Sequence, residues 1–209
     1  MDLSIWLTFV AASVALLAIP GPTVLLVLSY ALGQGRRVAV PTALGVAAGD
    51  LVAMSLSLAG LGALVATSAA LFTVLKWVGA VYLVYLGVRM LRSAGSGLTV
   101  SADQAVISGG RAFGHAAAVT ALNPKSIAFF IAFVPQFIVA NAPLLPQFAI
   151  LVATFVGLAA LNALMFAVLA ARLRGVIRRP AVITWLTRTG GGALIAMGVA
   201  TAMLRRQAA

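Results

Sequence analysis

Six apolar runs, each long enough to cross a lipid bilayer, leave little polar chain between them. They are Leu3–Leu32, Val38–Val65, Leu71–Met90, Phe113–Ile138, Leu145–Leu173 and Val182–Leu204. About 20 apolar residues suffice for a membrane-spanning helix. Only 8% of the 209 residues are charged, whereas about a quarter are charged in ordinary soluble domains. The sequence therefore predicts an all-α integral membrane protein with six transmembrane helices in one transmembrane domain, 1–209.

Two of the six runs carry a proline motif near their middle. Run one, about 45 Å long if wholly helical, contains Pro20-Gly21-Pro22, and run four contains the Asn-Pro-Lys motif of residues 123–125. Proline lacks a backbone N–H and clashes with the preceding helical turn. We therefore predict that transmembrane helices 1 and 4 are broken or sharply kinked at these motifs.

The two halves of the chain carry similar motifs in the same order. After each proline motif, the segment Gly45–Asp50 matches Gly157–Asn162, and the spaced glycines of Gly79–Gly87 match those of Gly190–Gly198. Two halves with an odd number of spans are oppositely oriented, which is the inverted-repeat architecture of many secondary transporters. In that architecture the substrate site lies near the membrane midplane, where helices are interrupted.

The predicted repeats and their connections carry an uneven distribution of basic residues. Repeat one covers about 1–92, repeat two about 111–209, and a linker of about 93–110 joins them. Nine Lys and Arg residues lie in or beside the connections after runs one, three and five, and three lie on the other side. Because cytoplasmic loops are enriched in Lys and Arg, we predict that these connections are cytoplasmic and that both termini are periplasmic. The basic residues are dispersed, so the net charge of +11 does not indicate a nucleic-acid partner.

Asp50 and Lys125 are the most deeply placed opposite charges in the sequence. Asp50, one of three acidic residues, lies near the middle of run two, and Lys125 lies at the middle of run four. A charge at the bilayer centre costs about 2.5–3.5 kcal/mol on the lenient insertion scale and usually marks an ion or substrate pathway. Desolvation and a neighbouring lysine act in opposite senses on a carboxyl group. Their balance can leave Asp50 able to exchange a proton and so to couple proton movement to transport.

The groups at the predicted helix breaks complete the candidate site. The half-helix that begins at Thr23 offers free amides and a positive dipole end, which suit a carboxylate. Asn123 and Asn162 can bind substrate, or they can equally bond helix to helix. The candidate residues for substrate binding or coupling are Pro20, Gly21, Pro22, Thr23, Asp50, Asn123, Pro124, Lys125 and Asn162.

The residue content argues against several kinds of chemistry. The chain has one histidine and no cysteine, which leaves no ordinary zinc site. It also lacks the glycine-rich loop ending in Gly-Lys-Ser/Thr that an ATPase needs. We therefore predict no enzyme activity, no metal and no cofactor, with an ion or substrate gradient as the driving force.

Several motifs together are similar to those of a known family. They are Pro20-Gly21-Pro22, Gly35-Arg36-Arg37, Gly45 to Asp50, Gly79 to Gly87, and Leu122 to Lys125 with Phe129-Phe130. Through them nearly the whole chain resembles the lysine-exporter superfamily of bacterial translocators, especially its homoserine/threonine-resistance branch. The resemblance implies export of amino acids or close derivatives across the bacterial inner membrane by proton antiport. Members commonly have asparagine after the first Pro-Gly-Pro, where this chain has the hydroxyl of Thr23.

Two functional hypotheses from different classes follow. In the first, a small zwitterionic substrate bridges the two charges, with its ammonium group at Asp50 and its carboxylate near Lys125 and Thr23. Its partners are protons and the lipid bilayer, and a homo-oligomer is left open. In the second, the protein is a passive channel or a structural membrane scaffold in which Asp50 and Lys125 form a locked ion pair. A dependence of transport on the proton gradient separates the two.

The predicted topology can be tested by cysteine labelling, because the chain has no cysteine of its own. A cysteine at Ser96→Cys, in the linker, should stay unlabelled when intact cells are treated with an impermeant thiol reagent. The matched change Ser4→Cys, beside the predicted periplasmic N-terminus, should be labelled. The reverse pattern would invert the orientation.

Overall fold

The computed structural model describes residues 1–19, 21–67, 69–94, 107–139, 142–172 and 180–203, and these ranges contain helices and no strand. The α-helices are α1 (Leu3–Ala18), α2 (Pro22–Gln34), α3 (Ala39–Thr67), α4 (Ala69–Ser93), α5 (Gly109–Ala121), α6 (Pro124–Ala132), α7 (Leu144–Arg172) and α8 (Pro180–Met203). The all-α prediction is confirmed. Pro20 and most of the predicted 93–110 linker lie outside the described residues.

Three of these helices are long and apolar enough to cross a membrane by themselves. The qualifying segments are Ala39–Gly62 in α3, Thr73–Ser93 in α4 and Leu144–Ala170 in α7. The number rises to five if the bent pairs α1–α2 and α5–α6 each count as one span. Helix α8 is not among them, because Arg188 and the three glycines 190–192 lower its mean hydropathy. The arrangement of six spans therefore stays a prediction.

Both helix breaks lie where the sequence predicts them. Helices α1 and α2 are inclined by 57°, and α5 is inclined by 46° to the segment that begins with α6. Pro22 and Pro124 are the first residues of α2 and α6, where the missing N–H of proline removes no helical hydrogen bond. Gly21 and Asn123 precede them as the N-cap residues. Each proline thus starts a new half-helix at the break.

Each bent pair packs against a long helix from the other half of the chain. Helix α3 packs on α5 and α6, and α7 packs in the corresponding way on α1 and α2. The long helices also pair with their counterparts, α3 with α7 and α4 with α8. These pairs persist when the halves are exchanged, whereas the packing of α4 on α6 has no comparable counterpart between α8 and α2 in the described residues. The arrangement of two related repeats therefore stays a prediction.

Glycines allow the closest helix contacts. A Cβ atom on Gly45 or Gly49 would run into the backbone of α5, at the carbonyls of Phe113 and Ala117 respectively. In the same way, a Cβ on Gly87 of α4 would meet the backbone carbonyl of Gly191 in α8. Small residues spaced in this way let two membrane helices approach each other at the backbone. Gly49 therefore also fixes the position of Asp50, the next residue on α3.

We expect Gly49→Ala to destabilise the protein. The added methyl group has to displace the backbone of α5, and overpacking of this kind costs about 1–3 kcal/mol. Gly157→Ala on α7 is the matched control, since a Cβ there meets open space. Thermal unfolding of the purified proteins should show a lower midpoint for Gly49→Ala alone. Equal midpoints would mean that the α3–α5 contact is loose.

Candidate functional site

A small cavity lies where the two helix breaks meet α3 and α7. Its volume is about 20 Å³, which is room for about one water molecule. It is lined by Leu17, Thr23, Val24, Val27, Val46, Asp50, Asn123, Lys125, Ser126, Ala159, Asn162, Ala163 and Phe166. Five of the candidates predicted from the sequence therefore line the same cavity: Thr23, Asp50, Asn123, Lys125 and Asn162. Ligand sites for small molecules usually measure about 300–1,000 Å³, so the cavity has no room for an amino acid in this conformation.

Asp50 is a buried carboxylate with an unused acceptor. Its side chain is 2% exposed, and within the described parts of the chain its Oδ1 atom has no hydrogen-bond partner. Burying a polar atom without a partner costs about 1–3 kcal/mol, and more for a charged group. Asp50 therefore lines the cavity with an oxygen that is free to accept a hydrogen bond.

Lys125 is directed to the carboxyl-terminal end of α1. Its side chain is 7% exposed, and its Nζ donates to the backbone carbonyl oxygens of Leu16 at 3.0 Å and Ile19 at 2.9 Å. Asn162 donates from Nδ2 to a third carbonyl at the same end, that of Leu17, at 3.1 Å. The last carbonyls of a helix lack intrahelical partners and form its negative end. Lys125 and Asn162 therefore hold the end of α1 from α6 and α7.

Asn123 connects the second break to the first. Its Oδ1 accepts a hydrogen bond from the backbone N–H of Lys125 at 3.1 Å, and its Nδ2 donates to the hydroxyl of Thr23 at 3.1 Å. The Thr23 hydroxyl also lies 3.2 Å from that of Thr120 in α5. The Thr23 hydroxyl thus joins the start of α2 to the start of α6 at the edge of the cavity.

The remaining candidates shape the backbone instead of lining the cavity. Gly21 lies against the Lys125 side chain, since a Cβ on it would stand 3.4 Å from both Cε and Nζ of that lysine. Pro22 and Pro124 are exposed, and Pro124 borders a separate apolar groove of about 270 Å³ between α4 and α6. Pro20 lies outside the described residues.

The apolar residues of the cavity wall were not among the candidates predicted from the sequence. Val27, Val46 and Phe166 each lie four residues from a predicted candidate on the same helix. Residues with that spacing lie on one helix face, so the spacing could have identified them. Ser126 directly follows the Asn-Pro-Lys motif and gave no such signal. These residues give the cavity a mixed wall with polar groups at the breaks and apolar groups beyond them.

A cluster of phenylalanines closes the protein at the far end of α6 from the cavity. Phe129 stacks on Phe133 with ring centroids 5.2 Å apart, and Phe130 meets Phe155 of α7 edge-on at 4.8 Å. Further ring contacts at 5.4 Å and 5.3 Å join Phe133 to Phe137, and Phe137 to Phe9 of α1. This cluster packs α6 against α1 and α7.

Comparison with known proteins gives one consistent result. Residues 5–205 match the LysE type translocator family. An uncharacterized membrane protein of Vibrio cholerae is 33% identical over 199 residues, which cover 95% of this chain and 97% of the relative. A homoserine/homoserine lactone efflux protein of Salmonella typhimurium is 32% identical over 200 residues, covering 96% and 97%. A leucine efflux protein of the same species is 34% identical over 141 residues, covering 68% and 66%. No solved structure gives a significant match.

We expect Asn123→Ala to destabilise the second break by about 1–2 kcal/mol, because it removes the N-cap of α6 and the bond to Thr23. Asn123→Ser is the matched control, because serine keeps the capping oxygen but does not reach Thr23. Thermal unfolding should rank the wild-type protein above the serine variant and the serine variant above the alanine variant. An alanine variant as stable as the wild type would show that the break is held by other contacts.

Proposed function

Because this chain belongs to the LysE type translocator family, we propose that it exports amino acids or close derivatives across the bacterial inner membrane in exchange for protons. The family is one of translocators, which fits the apolar helices of this membrane protein. The observation that carries the proposal is Asp50, a buried carboxylate whose Oδ1 has no hydrogen-bond partner among the described residues, at a small cavity between two half-helix starts.

The substrate's amino group is the group that Asp50 binds. Related proteins are named for efflux of leucine, of homoserine and of homoserine lactone. These three compounds share an α-amino group, whereas a lactone has no free carboxylate. A carboxylate in the protein that binds ammonium can therefore serve all of them. Among the residues that the structure describes, Asp50 is the only acidic one that lines the cavity.

The substrate's carboxylate, where there is one, lies toward the opposite charge. The N-termini of α2 and α6 both reach the cavity, at Thr23 and Asn123, and a helix N-terminus attracts anions. Lys125 of α6 adds a positive charge, because its Nζ lies beside the end of α1. The wall formed by Val27, Val46 and Phe166 offers no charged partner, so this site favours uncharged side chains.

Proton coupling follows from competition for one carboxylate. Asp50 can hold the substrate's ammonium or a proton, but not both at the same oxygen. The cavity of about 20 Å³ is too small for an amino acid, so exchange between the two cations requires the site to open, on one side of the membrane at a time. Alternate occupation of Asp50 by substrate and proton then drives export with the proton gradient, by the alternating-access scheme of inverted-repeat transporters.

The alternative of a scaffold with a locked ion pair is not favoured. Lys125 places its Nζ on backbone carbonyls of α1, while Oδ1 of Asp50 has no hydrogen-bond partner in the described residues. A direct pair would satisfy that oxygen. Buried pairs also add little stability over apolar replacements, so stability alone gives a weak reason for the two charges.

We expect Asp50→Asn to abolish proton-driven uptake of leucine or homoserine into inverted vesicles, because the amide cannot exchange a proton. The variant should fold as stably as the wild-type protein, because Lys125 is bonded to α1 and not to Asp50. Asp2→Asn is the matched control: it makes the same chemical change at an exposed residue that makes no side-chain cap bond to α1.

The scaffold alternative predicts a different pattern. There Asp50→Asn leaves a buried lysine without its counter-charge, and breaking a buried pair in this way costs about 3–5 kcal/mol. Thermal unfolding of the same purified variants separates the two outcomes. Full gradient-driven uptake by the Asp50→Asn protein would reject Asp50 as the coupling residue.

A further inference from the structure

Backbone carbonyls gather at the end of α1. The carbonyl oxygens of Leu16, Leu17 and Ile19 all accept hydrogen bonds from side chains of the other half of the chain. They lie beside the break, where the helix ends inside an apolar protein and its dipole is negative. The carbonyl of Leu16 also accepts the backbone N–H of Ile19 at 3.2 Å. Within a membrane no water is at hand for the carbonyls of Leu17 and Ile19, so they need a partner from elsewhere in the protein or from an ion.

The partner at two of these carbonyls is a full positive charge. Lys125 reaches them past Gly21, against which its Cδ, Cε and Nζ atoms pack, and it is almost wholly buried. The distances of 3.0 Å and 2.9 Å are those of ordinary N–H···O hydrogen bonds. The ammonium therefore lies in the break itself, between the end of α1 and the start of α2.

In other transporters with broken helices, unwound carbonyls and half-helix C-terminal ends coordinate the coupling cation. We infer that the end of α1 is a monovalent-cation site whose permanent occupant is the Lys125 ammonium, tethered from α6. The ligand class is a primary ammonium or an alkali-metal ion, since both bind backbone carbonyl oxygens. Lys125 is thus a positioning residue that takes the place of a diffusible ion and joins the two halves of the protein.

The filled cation site limits which ion can drive transport, a conclusion that rests on the proposed function. A cation site that is filled from within the chain cannot be emptied and refilled during transport. Sodium then has no site to bind at the α1 break, and Asp50 is left as the group at the cavity that exchanges a cation. The wild-type protein should therefore neither require sodium nor be stabilised by it.

The test uses Lys125→Ala, which deletes three methylene groups and the ammonium, a fragment the size of propylammonium. The purified variant should unfold several degrees below the wild-type protein. Propylammonium chloride should restore most of that loss in a saturable way, and sodium or potassium chloride part of it. Choline chloride at equal ionic strength and 1-propanol, which lacks the charge, should restore none. Lys76→Ala, at the only other lysine, should respond to none of these additions.

Each outcome bears on the cation site. If Lys125→Ala cannot be purified folded, it is extracted with propylammonium present throughout and then dialysed. Folding under that condition and unfolding on dialysis support the site, whereas no folded protein even then counts against it. A variant as stable as the wild type, or equal rescue by choline or propanol, overturns the inference. The readout is unfolding temperature, so the test stands whether or not amino acids are exported.

Discussion

Backbone groups exposed by two helix breaks inside a membrane must find partners within the protein, and the site is built from those partners. Lipid offers no hydrogen bonds, so an unpaired N–H or C=O there costs several kcal/mol. At the first break, Lys125 and Asn162 bind the carbonyls that end α1. At the second, Asn123 caps the start of α6. The polar side chains therefore gather where the prolines interrupt the helices.

The two matching positions of the proposed repeat, Asn162 and Asp50, carry different chemical groups. Asn162 donates an amide hydrogen to the end of α1, and its repeat partner in the proposed repeat is Asp50. An ionised carboxylate only accepts hydrogen bonds, whereas an amide or a protonated carboxyl also donates. The Asn162 amide therefore keeps the same hydrogen-bonding capacity at any pH. The Asp50 carboxyl gains a donor when it is protonated, and this difference is what the proposed proton coupling uses.

The sequence predicts the positions of the breaks, the buried charges and the small residues, because each depends on local covalent structure or on hydropathy. The helices break at the motifs of Pro22 and Pro124 as predicted, and Gly49 allows the close approach of α5. The partner of Lys125 could not be predicted, since backbone carbonyls leave no mark in a sequence and their position depends on the 57° bend. A helix that is apolar on all sides gives no indication of which face is exposed. The outward placement of Pro22 and Pro124 is therefore known only from the structure.

Opening the cavity is constrained by which helices are bonded together. Any motion that parts α1 from α6 and α7 breaks three charge-assisted or amide hydrogen bonds in a water-poor interior, where such bonds are costly to leave unmade. The glycine contacts of Gly45 and Gly49 hold α5 to α3 in a similar way. We therefore expect α1 to move with α7 and α5 with α3. The hydrogen bonds of the Thr23 hydroxyl with Asn123 and Thr120, which join α2 to the second break, are neutral, so we expect α2 to separate from that break when the cavity opens.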